Sequence, residues 1–254
     1  MSLSWLKRKH LRIGLGAKRV MVSGTKGIEL GAVEVEAVDG WRAALEALPA
    51  ILKSHASREA SVVLADQFVR YALLPWSQAV KSREQWLALA RHRFSALHGA
   101  AAAAWEVKVT ETAPLGARLA CAVDRELIEA LAFAFVGANV KLMSVEPFLV
   151  AAFNRIRQTV GNGSCWIVVE EPGRLTLALI QRGAWVAIRS RRSDDRWRLA
   201  LPEILERESA FLGLDQPCTR VIVCAQGEFE FDSAMQETWR AQSLSYRDLA
   251  LARE

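Results

Sequence analysis

Gly161-Asn162-Gly163-Ser164-Cys165-Trp166-Ile167-Val168-Val169 is the stretch that decides how this 254-residue chain is organised. Four turn-forming residues end a helical pattern, and a strand-like run of β-branched and aromatic residues follows at once. Two more strands, about Leu175–Gln181 and Trp185–Arg189, are reached through tight turns at Pro172-Gly173 and Arg182-Gly183. Ser193, with Asp194 and Asp195 in the first turn, then starts a helix reaching about Leu212; the two acids read as helix-start residues and not as a general acid and base. A strand at Arg220–Ala225, a short helix near Ser233–Arg240 and a strand near Ser243–Tyr246 complete this half.

Upstream of the break the same grammar is already present. Strands are expected at about Leu11–Leu15, Arg19–Ser23 and Ile28–Ala37, with Gly14, Gly16 and Gly24 supplying turns. Asp39 caps a helix from about Trp41 to Ser54 whose Trp41, Leu45, Leu48, Ile51 and Leu52 share one face. A strand pair, Ser61–Ala65 with Phe68–Leu74, is closed by Pro75, and Ser82–Leu97 reads as an amphipathic helix. Strands Trp105–Thr110 and Arg118–Val123, a helix Asp124–Gly137, a strand Lys141–Val145 and a helix Pro147–Thr159 with Pro in its first turn follow. Three strands and a helix therefore occur twice. The repeat has a sequence echo: Trp41-Arg42 with Ala47-Leu48-Pro49-Ala50-Ile51-Leu52, against Trp197-Arg198 with Ala200-Leu201-Pro202-Glu203-Ile204-Leu205. That layout predicts an α/β, duplicated actin/Hsp70-like (ribonuclease H-like) two-lobe fold: residues 1–160 as a first lobe carrying a small insertion at about 66–123, and 161–254 as a second.

Composition bounds the function classes. Just over half the residues are apolar and about a quarter charged, as in folded soluble proteins. No apolar run reaches a membrane-spanning length; the best, Leu127–Val140, is short and led by charges. Met1–His10 is basic but lacks the apolar core of a secretory signal. Cys121, Cys165, Cys218 and Cys224 have no Cys-x-x-Cys spacing and read as buried, reduced thiols. The net charge of +5 comes without a basic stripe interleaved with aromatics, so nucleic acid is not an expected partner.

Against that layout, Leu6-Lys7-Arg8-Lys9-His10-Leu11-Arg12-Ile13-Gly14-Leu15-Gly16 resembles the opening of the PilM family, actin-like cytoplasmic proteins of type IV pilus assembly. Phe68-Val69-Arg70-Tyr71-Ala72-Leu73-Leu74-Pro75 with the helix after it resembles that family's insertion, shared by the cytoplasmic part of the type II secretion L protein and by MSHA-pilus biogenesis proteins. Ser144-Val145-Glu146-Pro147-Phe148-Leu149-Val150 resembles its Glu-Pro step from strand to helix.

The resemblance implies two phosphate-binding turns, and here they are altered. Members that hydrolyse ATP place a carboxylate beside each turn to hold metal and water, with small residues that admit backbone amides to the phosphate. The first turn reads Ile13-Gly14-Leu15-Gly16, with glycine where the family has an acid. In the second, aligned on Gly183, the acid falls on Val169 and the glycine on Glu171; a slip of one puts Glu170 there instead. The adenosine turn falls near Cys224-Ala225-Gln226-Gly227, where Gly227 alone remains. No catalytic residue, metal site or cofactor is therefore expected, and ATP with magnesium is the alternative. Gly14-Leu15-Gly16 is a hairpin turn and not a dinucleotide fingerprint. There is no nucleophile elbow and no Walker loop. His10, His55, His92 and His98 are too scattered to form a metal pair.

Function is then expected on surfaces. By resemblance, a short cytoplasmic peptide of an inner-membrane assembly-platform protein docks in a groove on the insertion, at Phe68, Arg70, Tyr71, Trp86 and Arg93; as core and solvated-face residues the same five fit an ordinary α/β unit equally well. About a third of the nine tryptophans are expected to be partly exposed. Trp5-Leu6-Lys7-Arg8-Lys9 is either a solvated tail or a peripheral lipid contact at about 1 kcal/mol per basic residue. The implied protein is a non-catalytic scaffold at the inner face of the bacterial inner membrane, with homo-oligomers allowed. An ending at Glu254 without a membrane segment suits the pilus protein better than the secretion protein. A scaffold predicts no mixed-charge pocket between the lobes and an apolar, aromatic-lined groove on the insertion. An ATP-binding switch or ATPase of the same fold predicts an open interlobe cleft with a carboxylate pointing into it.

Overall fold

Alternation builds the first strand: in β1 (Leu11–Leu15) the apolar Leu11, Ile13 and Leu15 are buried on one face, while Arg12 and Gly14 occupy the other. The computed structural model describes residues 10–24, 28–36, 40–56, 58–110, 116–194, 196–214, 218–225, 231 and 233–245. Gly16 closes the turn into β2 (Arg19–Ser23) by donating its amide to the carbonyl of Arg19 at 3.0 Å. Antiparallel β3 (Glu29–Glu34) follows, then α1 (Arg42–Lys53). The chain returns in β4 (Glu59–Leu64), parallel to β1, and later in β8 (Lys141–Pro147), parallel to β4, giving the order β3-β2-β1-β4-β8.

The second half repeats this order strand for strand. It comprises β9 (Ser164–Glu171), β10 (Arg174–Gln181), β11 (Ala184–Arg192), α5 (Trp197–Phe211), β12 (Arg220–Ala225), α6 (Ser233–Thr238) and β13 (Arg240–Ser245). Its sheet runs β11-β10-β9-β12-β13, with the same pattern of antiparallel and parallel neighbours as the first. Pro49 lies inside α1 and Pro202 inside α5, so the sequence echo falls on equivalent helices. Two copies of one βββαβαβ unit make up the fold expected from the repeat.

Between β4 and α3 (Arg125–Gly137) the first copy carries extra chain. A 3-10 turn at Asp66–Phe68 leads to β5 (Val69–Leu74), α2 (Arg83–His98), β6 (Trp105–Val109) and β7 (Arg118–Asp124), forming a three-stranded antiparallel sheet in the order β5-β7-β6. The expected pairing of Ser61–Ala65 with Phe68–Leu74 is therefore corrected. The 3-10 turn carries the chain out of one sheet and into another, so β4 and β5 never pair. Helix α2 opens with a reciprocal capping box between Ser82 and Gln85 and buries Trp86, Ala90 and Phe94, one turn apart each, on the small sheet.

Helix α4 (Phe148–Val160) joins the halves. Phe148, Leu149, Ala152 and Ile156 are buried in a core that also takes Ile167, Val169, Ala178 and Ile222 from the second sheet. Pro147 ends β8 and precedes α4 in extended conformation, so it stands outside the helix's first turn. Helix α5 begins at Trp197, with the Asp194 carboxylate accepting from the Arg196 amide at 3.0 Å; Asp39 and Asp195 lie outside the described residues. The four cysteines are buried and unbridged. Of the eight described tryptophans, Trp76 is exposed and Trp105 half-buried, and the other six are buried.

Candidate functional site

The turns after β1 and β9 meet at one cleft between the halves. Its walls include Gly14 and Gly16 from the end of β1, Arg12, Lys18 and Arg19 beside them, and Glu171 with Pro172 from the turn after β9, around a cavity of about 110 Å³. The charges are mixed: three bases against Glu29 and Glu171. Arg12 pairs with Glu146 of β8 at 2.6 Å across the intervening β4, and Arg19 pairs with Glu29 at 3.2 Å. The scaffold expectation of no mixed-charge pocket between the lobes is corrected here, because alternation along β1 and β2 turns Arg12 and Arg19 toward the cleft.

Glu171 is engaged away from the cleft. Glu171 is 2% exposed, and its two oxygens accept from the backbone amides of Asp66 at 2.8 Å and Gln67 at 3.0 Å. Those amides belong to the turn after β4, so a side chain of the second sheet is hydrogen-bonded to the backbone of the first. Val169 is completely buried in the shared core, as expected of a strand residue rather than an acid's replacement. Glu170 alternates with Glu171 on β9 and pairs across the ladder with Leu175. Gly227 lies outside the described residues, as does Trp5–Lys9.

Asp66 was not singled out by its sequence, where Ala65-Asp66-Gln67 reads as an ordinary turn. The structure puts it at the centre: fully buried, it accepts from the Tyr71 hydroxyl and, at 3.0 Å, from the Leu149 amide at the start of α4. Burial pushes its carboxyl up to about 6, opposed by those two donors and by the charge of Arg174. Burial likewise pushes Glu171 up to about 8, helped by Asp66 and opposed by the two amides and Arg174. Tyr71 is raised well above its ordinary value by burial and then by Asp66. Both carboxyls are closed off from bulk solvent, and the bonds of Glu171 to the Asp66 and Gln67 amides tie the two halves together.

The five residues expected to line a groove divide between two cores. Phe68 is buried in the main core, and Tyr71 is fastened to Asp66 and packs against that core. Trp86 is 2% exposed beneath Arg118, whose guanidinium lies 4.6 Å over its ring. Phe68 and Trp86 are thus buried, and Tyr71 is half-buried. Arg70 is half-buried, 5.7 Å over Trp105, and Arg93 is exposed on α2. Among the described residues no group of three or more histidine, cysteine or acidic side chains is placed to hold a metal, and no helix is long and apolar enough to cross a membrane.

A duplicated βββαβαβ unit with a cleft at the paired β1 and β9 turns defines the actin-like fold. Solved structures that share it include the PilM-PilN type IV pilus biogenesis complex, at a TM-score of 0.67 and 12% identity over 96% of this chain and 90% of that one. A Bacteroides thetaiotaomicron protein described as having an actin-like ATPase fold and unknown function matches at 0.64 and 12%, over 99% and 95%. The cytoplasmic domain of EpsL, an inner membrane component of the Vibrio cholerae type II secretion system, matches at 0.60 and 11%, over 95% and 92%. At such identities the likeness is one of fold. No protein-family model and no curated protein matches the sequence.

Proposed function

We propose that this chain is a non-catalytic scaffold of a type IV pilus-like or type II secretion-like assembly platform, working at the cytoplasmic face of the inner membrane and docking a partner's cytoplasmic tail. The observation that carries the reading is the use made of Glu171. Of the two carboxylates on the cleft wall, Glu171 is committed to the Asp66 and Gln67 amides and Glu29 is paired with Arg19, and Gly14 stands where the first acid belongs. Phosphoryl transfer draws its rate from placed charges and a metal, and neither turn offers an acid free to hold one. The likeness to the PilM-PilN complex and to the EpsL cytoplasmic domain supports the choice of machine and the membrane-bound partner. On the insertion, Arg93 is exposed and Arg70 and Tyr71 are half-buried, so these three are the members of the docking set within a partner's reach, while Phe68 and Trp86 fix the frame.

A second reading, a nucleotide-binding switch, is favoured by the mixed-charge cleft with Arg12, Lys18 and Arg19 on its wall. Fluorescence anisotropy with labelled tails, taken from single-span inner-membrane proteins of the host's pilus and secretion clusters, tests the scaffold reading. Saturable binding to one tail, weakened by Arg93→Glu, supports it. No binding to any tail by folded protein removes it.

A further inference from the structure

Asp66 and Glu171 are the two carboxyls buried outright among the described residues, and they come from opposite halves of the fold. Asp66 follows β4 of the first sheet; Glu171 ends β9 of the second. Both oxygens of Glu171 sit on the Asp66 and Gln67 amides, so this contact is also a hydrogen-bonded seam between the halves. Asp66 Oδ1 accepts from the Tyr71 hydroxyl and the Leu149 amide, while its Oδ2 is buried with no hydrogen-bond partner. A buried acid oxygen without a donor is costly, and two adjacent buried anions repel strongly in a low dielectric. A single proton held by the pair relieves both problems, because it supplies a donor and removes one charge.

The groups facing the pair do not substitute for that proton. Tyr71 from β5 and Cys121 from β7 are themselves pushed up by burial and stay neutral, the Leu149 amide serves Oδ1, and Arg174 from β10 is the positive charge that acts on both acids. We propose that Asp66 and Glu171 form a proton-dependent latch: while they share one proton the halves stay closed over the cleft, and when it leaves to solvent the two anions separate and the halves part along the seam of Asp66, Gln67 and Glu171. Opening lets water reach both carboxylates, while the bond from Leu149 to Asp66, internal to the first half, survives.

Amide hydrogen exchange of the whole chain between about pH 6 and about pH 9.5, corrected for the intrinsic pH dependence of exchange, tests this. Protection of the Asp66 and Gln67 amides should be lost as pH rises while that of Leu149 is kept. Asp66→Asn removes one charge, retains an oxygen for Leu149 and Tyr71, and should abolish the loss. If that variant does not fold, Glu171→Gln serves: with one acceptor fewer its seam is less protected throughout, but protection should be flat with pH. Flat protection in the wild type, loss at Leu149 together with the seam, or an undiminished loss in the folded variant overturns the latch.

Discussion

Asp66 caps a helix that starts far along the chain: its Oδ1 accepts from the Leu149 amide at 3.0 Å, across 83 residues of sequence. Helix α4 has no side-chain cap from its own N-cap residue, Pro147, so this remote carboxyl satisfies one of its first amides and faces the positive end of its dipole. Asp66→Ala strands the Leu149 amide and the Tyr71 hydroxyl in the interior. It should destabilise the protein by about 2–4 kcal/mol, read as a lower urea midpoint at unchanged m. Asp66→Asn, which keeps an acceptor, should cost clearly less.

The buried pair also sets a pH dependence. Asp66 at about 6 and Glu171 at about 8 both lie above ordinary carboxyl values, so between those ordinary values and the raised ones the folded state binds more protons than the unfolded. The stabilisation is complete below the ordinary carboxyl range and is lost as pH rises through about 6 and then about 8. The urea midpoint of the wild type should fall over that window, and Glu171→Gln should flatten the upper part. A midpoint that rises with pH there would contradict the assignment.

Trp86 and Arg93 lie on the same helix and separate framework from contact. Trp86→Ala empties the core between α2 and the small sheet and should cost about 3–5 kcal/mol, with exchange protection lost first in β5, β6 and β7. Arg93 is exposed, so Arg93→Ala should change stability by no more than about 0.5 kcal/mol while weakening capture of a partner tail.

The two turn glycines should respond in opposite ways. A Cβ at Gly14 meets nothing within 4 Å, whereas one at Gly16 would sit 2.9 Å from the Arg19 carbonyl oxygen. Gly14→Ala should be neutral or stabilising by up to about 1 kcal/mol, and Gly16→Ala should cost about 1–3 kcal/mol; thermal midpoints of the two variants check both.

Where periodicity and turn residues spoke, the sequence was enough. β1 and β2 fall where alternation puts them, β12 where a short apolar run does, and the restart after Gly161 announces the second copy of the unit. What local pattern could not carry was pairing. Ala65-Asp66-Gln67 looks like a hairpin turn from its composition, and only the sheets around it show that it hands the chain from one to another. The Asp66–Glu171 contact was hidden for the same reason, since Glu171 lies 105 and 104 residues from the two amides it accepts from. Trp86 shows the other limit: an aromatic at helical spacing suits a core and a groove equally, and the small sheet packed over it decides for the core.

The account turns on a cleft whose acids are absent or engaged, and calorimetric titration of the folded protein with ATP and magnesium tests that most directly. No saturable binding tighter than a Kd of about 100 μM, roughly −5.5 kcal/mol, is expected. Saturable binding tighter than that would contradict it and put the nucleotide switch first.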